Sequence, residues 1–206
     1  MSRYIESIRI EDKKVFLLEY HQKRMDEVFR SDARENPFQL KELFQKLEVD
    51  ERGLFKWRIV YDTYGFIQSQ LIPYAVNICE DFELMDARHV DYHFKFEDRK
   101  ALDLLKEKAN ADEVILFKHG NITDTSYSNL IFKKGQQWYT PKYYLLNGVM
   151  RQFLLDNNKI KELDIHLKNL GEFSHFQLIN AMIPFGTQEY PIEKISNLYQ
   201  AKTLDI

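Results

Sequence analysis

The chain has 206 residues, 44% hydrophobic and 14% aromatic, enough to bury a core as one large domain or two small lobes. Its 29 Lys+Arg nearly balance 32 Asp+Glu, for a net charge of −3, so nucleic acid is not the expected partner. A single cysteine, Cys79, excludes an intramolecular disulfide and a cysteine-based zinc site and fits a reducing cytoplasm; no run approaches ~18 apolar residues, and the charged N-terminus lacks the apolar core of a signal peptide, so neither a membrane span nor secretion is expected.

In chain order, "RYIESIRI" alternates as a strand does, and "VFLLEY" reads as a second strand after the turn "EDKK". "HQKRMDEVFR" has helical spacing, with His21, Met25 and Val28 on one face and Arg24 at its edge. A second helix, "FQLKELFQKL", follows Pro37, and "LFKWRIVYD" pairs with "FIQSQLIPY" around "TYG". "ICEDFELMDARHV" reads as a linker and "DYHFKF" as a short strand ending near Lys95. "RKALDLLKEKAN" is a helix with Ala101, Leu104, Leu105 and Ala109 on one side. "DEVILF" and "ITDT" flank a turn, and "NLIF" and "WYTP" repeat the pattern. "LLNGVMRQFLLDNN" is a loop entering a helix, "KIKELDI" a strand, "HLKNLGEF" a short helix and "SHFQLINAMIPFG" a closing apolar strand. Alternating helices and short strands predict an α/β or α+β fold in two lobes, a small one over residues 1–85 and a larger one over 86–206 that carries Lys95.

Four groups point to chemistry. Lys95 follows the aromatic "YHF"; turned inward, its ammonium would be costly to bury and its pKa would fall, which suits a nucleophilic amine. Turned outward, it is a solvated lysine of a first helical turn. Arg24, at the edge of an apolar face, needs either an anionic ligand or a nearby carboxylate. Gly148 permits a tight turn into a helix whose first amides, of Val149 and Met150, offer an anion site. Asp124 lies in "NITDTSYSNLIF" among hydroxyls and Asn129; it is either a turn residue or the partner of a buried positive nitrogen.

In this order the motifs resemble the class IV aminotransferases, the fold type IV pyridoxal-phosphate enzymes that include branched-chain and D-amino-acid aminotransferases and aminodeoxychorismate lyase. "IESIR" and "EYHQKRM" look like the family's entry strand and His-x-x-Arg helix, and "KFEDR" like its lysine motif. "NADEVILFKHGNITDTSYSNLIF" looks like its strand, turn and acid, with an asparagine five residues after the acid. "LLNGVMRQFLL" and "INAMIPFG" look like its loop-helix segment and the closing strand of lyase-like members. The resemblance implies bound pyridoxal 5'-phosphate, with Lys95 forming the aldimine and moving the α-proton. It implies that Asp124, ordered by Asn129, pairs with the pyridine nitrogen. Arg24, the amides of Val149 and Met150, and Asn180 would hold the phosphate. Arg58, with Tyr61 and Tyr64, is a candidate for the substrate carboxylate; the alternative for Arg58 is an outward strand residue.

Three departures stand out. Asp124 occupies a place where the family usually has glutamate, Met150 one where threonine is usual, and the match begins near residue 4, so a shortened N-terminal lobe is expected. The implied function is an aminotransferase or lyase acting on a small-molecule amino acid or amino-deoxychorismate, as a cytoplasmic homodimer without a metal. The alternative is a shortened, non-catalytic relative that binds cofactor or serves as an interaction protein.

Overall fold

The computed structural model describes residues 2–49 and 52–198. The chain divides into two compact units, residues 1–76 with 94–98 and residues 77–93 with 99–206. In the first, β1 (Tyr4–Glu11), β2 (Lys14–Val15), β3 (Leu54–Tyr61) and β4 (Ile67–Pro73) form an antiparallel sheet in the order β2-β1-β3-β4. Strand alternation puts Ile8, Ile10, Phe55, Trp57 and Ile59 on one face. There they pack with Met25, Val28 and Phe29 of α1 (Leu18–Ser31) and Leu40 of α2 (Leu40–Gln45). Gln22 of α1 joins the two helices. Its amide donates to Phe38 O at 3.0 Å, and its Oε1 accepts from Leu40 N at 2.7 Å, capping the start of α2. Residues 94–98 belong here because they pair with the start of β1. Ile5 N donates to Lys95 O (2.9 Å) and Glu97 N to Arg3 O (2.8 Å), and the Tyr4 ring meets those of Phe94 and Phe96.

The second unit is built on β5 (Phe82–Asp86), β6 (Glu113–Lys118), β7 (Asn121–Thr125), β8 (Asn129–Lys134), β9 (Gln137–Pro141) and β10 (Lys161–Leu163), in the order β10-β9-β8-β7-β6-β5. β11 (His175–Ile179) pairs along β8, and β12 (Tyr190–Pro191) along β11. α3 (Lys100–Lys108) links the parallel strands β5 and β6, and α4 (Val149–Asp156) separates β9 from β10. The core gathers Phe82, Leu84, Ile115, Ile122, Leu130, Phe132, Phe176 and Leu178, with Phe82 edge-on to Phe176 and Tyr190 at 4.8 Å each. No helix among the described residues is long and apolar enough to cross a membrane.

Several sequence expectations are corrected. The apolar run 15–20 is not a strand; β2 ends at Val15, Leu17 turns left-handed (φ 55°), and α1 begins at Leu18. Leu18 joins His21 and Met25 at helical spacing, so the run is divided between two elements. The supposed linker 78–90 contains β5, whose Phe82 and Leu84 alternate into the core beside β6. The strand expected over 91–96 is reduced to a single bridge between Tyr4 and Phe96. On α3 the buried residue is Leu102, while Leu104 is exposed. The helix expected over 166–173 is one 3-10 turn, Leu170–Glu172. A boundary at 85/86 would cut β5, and Lys95 groups with the first unit through its pairing with β1.

Phe82 is fully buried between two rings, so Phe82→Ala should leave a cavity that costs about 3–5 kcal/mol. Urea denaturation of the two proteins measures this directly as a lowered midpoint.

Candidate active site

In the first unit, a buried charged group forms under α1. Glu6 alternates with Ile8 and Ile10 on the helix-facing side of β1 and is wholly buried. Its Oε1 accepts from Arg24 Nε at 2.9 Å, and its Oε2 accepts from Arg24 Nη2 at 2.5 Å and lies 2.6 Å from His21 Nδ1. Burial alone would raise the Glu6 pKa, but Arg24 and His21 overcome it and hold the carboxyl at about 2. Burial lowers the His21 pKa against the opposing pull of Glu6; the charges of Arg24 and Lys95 add to the lowering. Arg24 is thus paired with a carboxylate, one of the two possibilities its sequence position left open. Lys95 is half-buried.

In the second unit, a different carboxylate organises the polar strand. Asp124 faces Asn129 across β7 and β8, and both are buried. Asn129 Nδ2 donates to Asp124 Oδ1 at 2.8 Å and to Leu146 O at 2.8 Å. The amides of Leu145 and Leu146 each donate to Asp124 Oδ2 at 2.9 Å. The pair therefore grips the loop that runs into α4. Gly148 closes the approach: a Cβ there would lie 2.0 Å from Asn129 Oδ1. Its backbone is ordinary extended chain (φ −69°, ψ 146°), so contact and not conformation demands glycine. The helix then starts with Val149 and Met150, whose amides have no acceptor one turn back within α4.

The rest of "TSYS" serves this arrangement. Thr125 Oγ1 and N fold the loop back onto Ser128 O. Ser126 N donates to buried Glu113 at 2.9 Å, and Ser126 O accepts from Arg99 at 2.9 Å. Burial raises the pKa of Glu113, with the Ser126 bonds opposing. Arg151, in the first turn of α4, is held by Asn147, Pro141 O and Glu162.

The donor set at Asp124 fits a protonated pyridine nitrogen. Burial pushes its carboxyl up to about 6, although the Leu146 amide, Asn129 and the Leu145 amide oppose the rise. All three donors are neutral; Oδ2 already accepts two bonds, whereas Oδ1 accepts one and has room for a second. Of the charged groups only Arg151 opposes the rise, and a pyridinium bound there would add a second positive charge.

Other expected site residues are placed differently. Asn180 Nδ2 donates to Ser128 Oγ at 2.8 Å, and its Oδ1 accepts from the amides of Met182 and Ile183. Its polar atoms are taken up by protein groups, so it braces the 127–128 loop in place of the phosphate contact expected of it. Arg58, Tyr61 and Tyr64 do not converge. Arg58 pairs with Glu97 at 2.9 Å on the face of β3 away from α1. Tyr61 lies in the core, stacked on Phe29. Tyr64 is exposed in the β3–β4 turn beneath Arg34, whose guanidinium lies 4.1 Å from its ring centre. Glu6 was missed as a candidate, although a carboxylate alternating with Ile8 and Ile10 is a legible signal. Among the described residues no cluster of three His, Cys, Asp or Glu is placed to hold a metal ion.

The family model Amino-transferase class IV matches residues 87–187. An uncharacterized protein of Haemophilus influenzae is 30% identical over 181 residues, covering 86% of this chain and 96% of its own length. A crystal structure from Haemophilus somnus 129PT, provisionally named a 4-amino-4-deoxychorismate lyase, is 31% identical with a TM-score of 0.84, covering 90% of this chain and 98% of that one. A hypothetical aminotransferase of Mycobacterium tuberculosis in its PLP-bound form shares the fold at 14% identity and a TM-score of 0.75, covering 94% of this chain and 81% of that one.

The raised pKa of Asp124 sets a pH dependence for the cofactor-free protein. Between the unfolded value near 3.8 and about 6, the folded chain holds a proton that the unfolded chain has released. This contribution to stability is full below that window and is lost as pH rises through it, on the order of 2–3 kcal/mol. Asp124→Asn should remove that part of the slope, seen as the difference between the two proteins' stability profiles from pH 3.5 to 7.

Proposed function

The chain belongs to the class IV aminotransferase family, and from that premise we propose that it is a pyridoxal-phosphate-dependent enzyme acting on an amino acid or amino-deoxychorismate. The observation that carries this is Asp124, a buried carboxylate with neutral donors and a raised pKa, gripping the loop that presents α4. Lyase chemistry is favoured over transamination by the likeness to the Haemophilus somnus protein across nearly its whole length and by "INAMIPFG".

When bound, the cofactor supplies an electron sink for charge developing at the substrate's α-carbon. The residues of this chain do the rest. Lys95 Nζ would hold the cofactor covalently, and its amine would take and return the substrate's α-proton. Asp124 would keep the pyridine nitrogen protonated, with Asn129 fixing the orientation of its carboxylate. The Arg24 guanidinium of the first unit and the amides of Val149 and Met150 of the second are the groups that would hold the phosphate. Met150 contributes an amide where a threonine would add a hydroxyl. Aspartate is one methylene shorter than the family's usual glutamate, and its hold on the Leu145 and Leu146 amides fits a carboxylate drawn close to its strand. Arg58 remains a candidate for the substrate carboxylate if substrate displaces Glu97. The protein is proposed to work as a homodimer in the cytoplasm.

The test begins with the purified protein in saturating cofactor. Borohydride should fix the cofactor to the peptide containing Lys95, and Lys95→Ala should abolish the label; labelling elsewhere, or none, would leave the non-catalytic reading. Arg24→Ala should weaken cofactor affinity by about 2–3 kcal/mol, as loss of a charge-assisted contact does. Asp124→Asn should still bind cofactor, while α-deuterium exchange of a bound amino acid slows by on the order of 10²-fold, since the lost charge acts mainly on the transition state. Equal exchange rates in the two proteins would reduce Asp124 to a turn residue.

A further inference from the structure

Glu6 occupies a position where an apolar residue would be expected. It alternates with Ile8 and Ile10 on the buried face of β1, opposite Ile59 of β3, and is fully enclosed. A carboxylate persists in such a place only when its partners offset the loss of water. Here both oxygens are engaged, Oε1 by Arg24 Nε and Oε2 by Arg24 Nη2 and His21 Nδ1. Nε and Nη2 form one edge of the planar guanidinium. Two bonds along that edge fix its plane and its rotation together, which a single contact would not do. His21 completes the set. With Glu6 ionised, the imidazole donates through Nδ1, and Nε2 has no partner among the described residues. His21 and Arg24 are three residues apart on α1, so one strand carboxylate locks two neighbouring side chains of the helix.

We propose that Glu6 is the positioning residue of Arg24: its carboxylate, braced by His21, sets the orientation in which the guanidinium meets the cofactor's phosphate. The proposal rests on the phosphate role of Arg24 given above. Electrostatics alone would disfavour the arrangement, because a negative charge beside an anion-binding guanidinium weakens its attraction for the anion. Geometry and charge compensation explain it. A buried guanidinium without a partner would be strongly destabilising, and an unanchored one would not be aimed. Any test must therefore separate charge from position. Glu6→Asp does so, since it keeps the charge and withdraws the carboxylate by one methylene.

The dissociation constants of pyridoxal phosphate and of pyridoxal, which lacks the phosphate, are measured by spectral titration for the wild type, Glu6→Asp and Arg24→Ala. In Glu6→Asp the preference for the phosphorylated form should fall roughly tenfold or more, the scale of one charge-assisted bond, with pyridoxal itself bound as in the wild type. A merely structural Glu6 would weaken both forms equally, and that result, or an unchanged preference, overturns the proposal. Arg24→Ala separates the two levels of inference. A preference retained in Arg24→Ala removes the phosphate role of Arg24 and this proposal with it. A preference lost in Arg24→Ala but kept in Glu6→Asp overturns the positioning role alone. If Glu6→Asp does not fold, Glu6→Gln is read in the same way, and an unchanged or raised preference overturns the proposal.

Discussion

Asp124 accepts three hydrogen bonds from neutral donors while enclosed away from water, and its surroundings are arranged to keep it there. Asp124 and Asn129 are the pair in register between β7 and β8. Asn129 in turn reaches Leu146 O, and the carboxylate reaches the two amides beside it, so a loop distant in sequence is tied to the strand pair. That closeness leaves no space for a side chain at position 148 and delivers the chain into α4 directly afterwards. Thr125 Oγ1 folds the connection between the two strands, Ser126 N is taken by Glu113 and Ser128 Oγ by Asn180, which is how so polar a stretch can be buried.

The first unit offers the contrasting solution to the same physical problem. Glu6 is as enclosed as Asp124, yet its carboxyl is held at about 2 where that of Asp124 rises to about 6. The difference is the kind of donor. Glu6 has a guanidinium and an imidazole; Asp124 has amides only. Neutral donors satisfy the lone pairs of a buried carboxylate but do not offset its charge. A structural carboxylate needs only the first arrangement. The second leaves an electrostatic demand that a cationic ligand would answer, and this separates the acid proposed as functional from the acid read as a support.

Much of this was readable from residue order, and the failures have identifiable causes. Lys95, Arg24, Asp124 and the 148–150 turn stand out by residue type and position, while Asn129 and the cofactor roles of all of them come from the family resemblance. What spacing does not encode is where a polar group's bonds go. Asn180 looked available for a ligand, but its amide is occupied by its own turn and by Ser128. Tyr61 looked like a partner of Arg58, yet three residues along a strand turn it to the opposite face, into the core. β5 was passed over because "DFELMD" is short and flanked by charge, and only its parallel neighbour makes it a strand. Residues 94–98 were assigned by sequence neighbourhood to the wrong unit, since pairing with β1 is a long-range fact. Glu6 was legible in principle: alternation placed it inward, and an inward acid implies a cation.

The enclosure of β8 has a dynamic consequence. β11 runs along the strand from Asn129 to Lys133, while the other edge is taken by β7 at its start and by β9 at its end. Local opening at Asn129 therefore has to disturb neighbours on both sides, and such segments open near the global unfolding limit. The acid and the amide that orders it sit at the margin of that strand, so the loop they hold is kept in shape without help from a ligand. A cofactor bound there, as proposed, would meet a surface already ordered by folding, and its association would depend mainly on contacts and little on rearrangement.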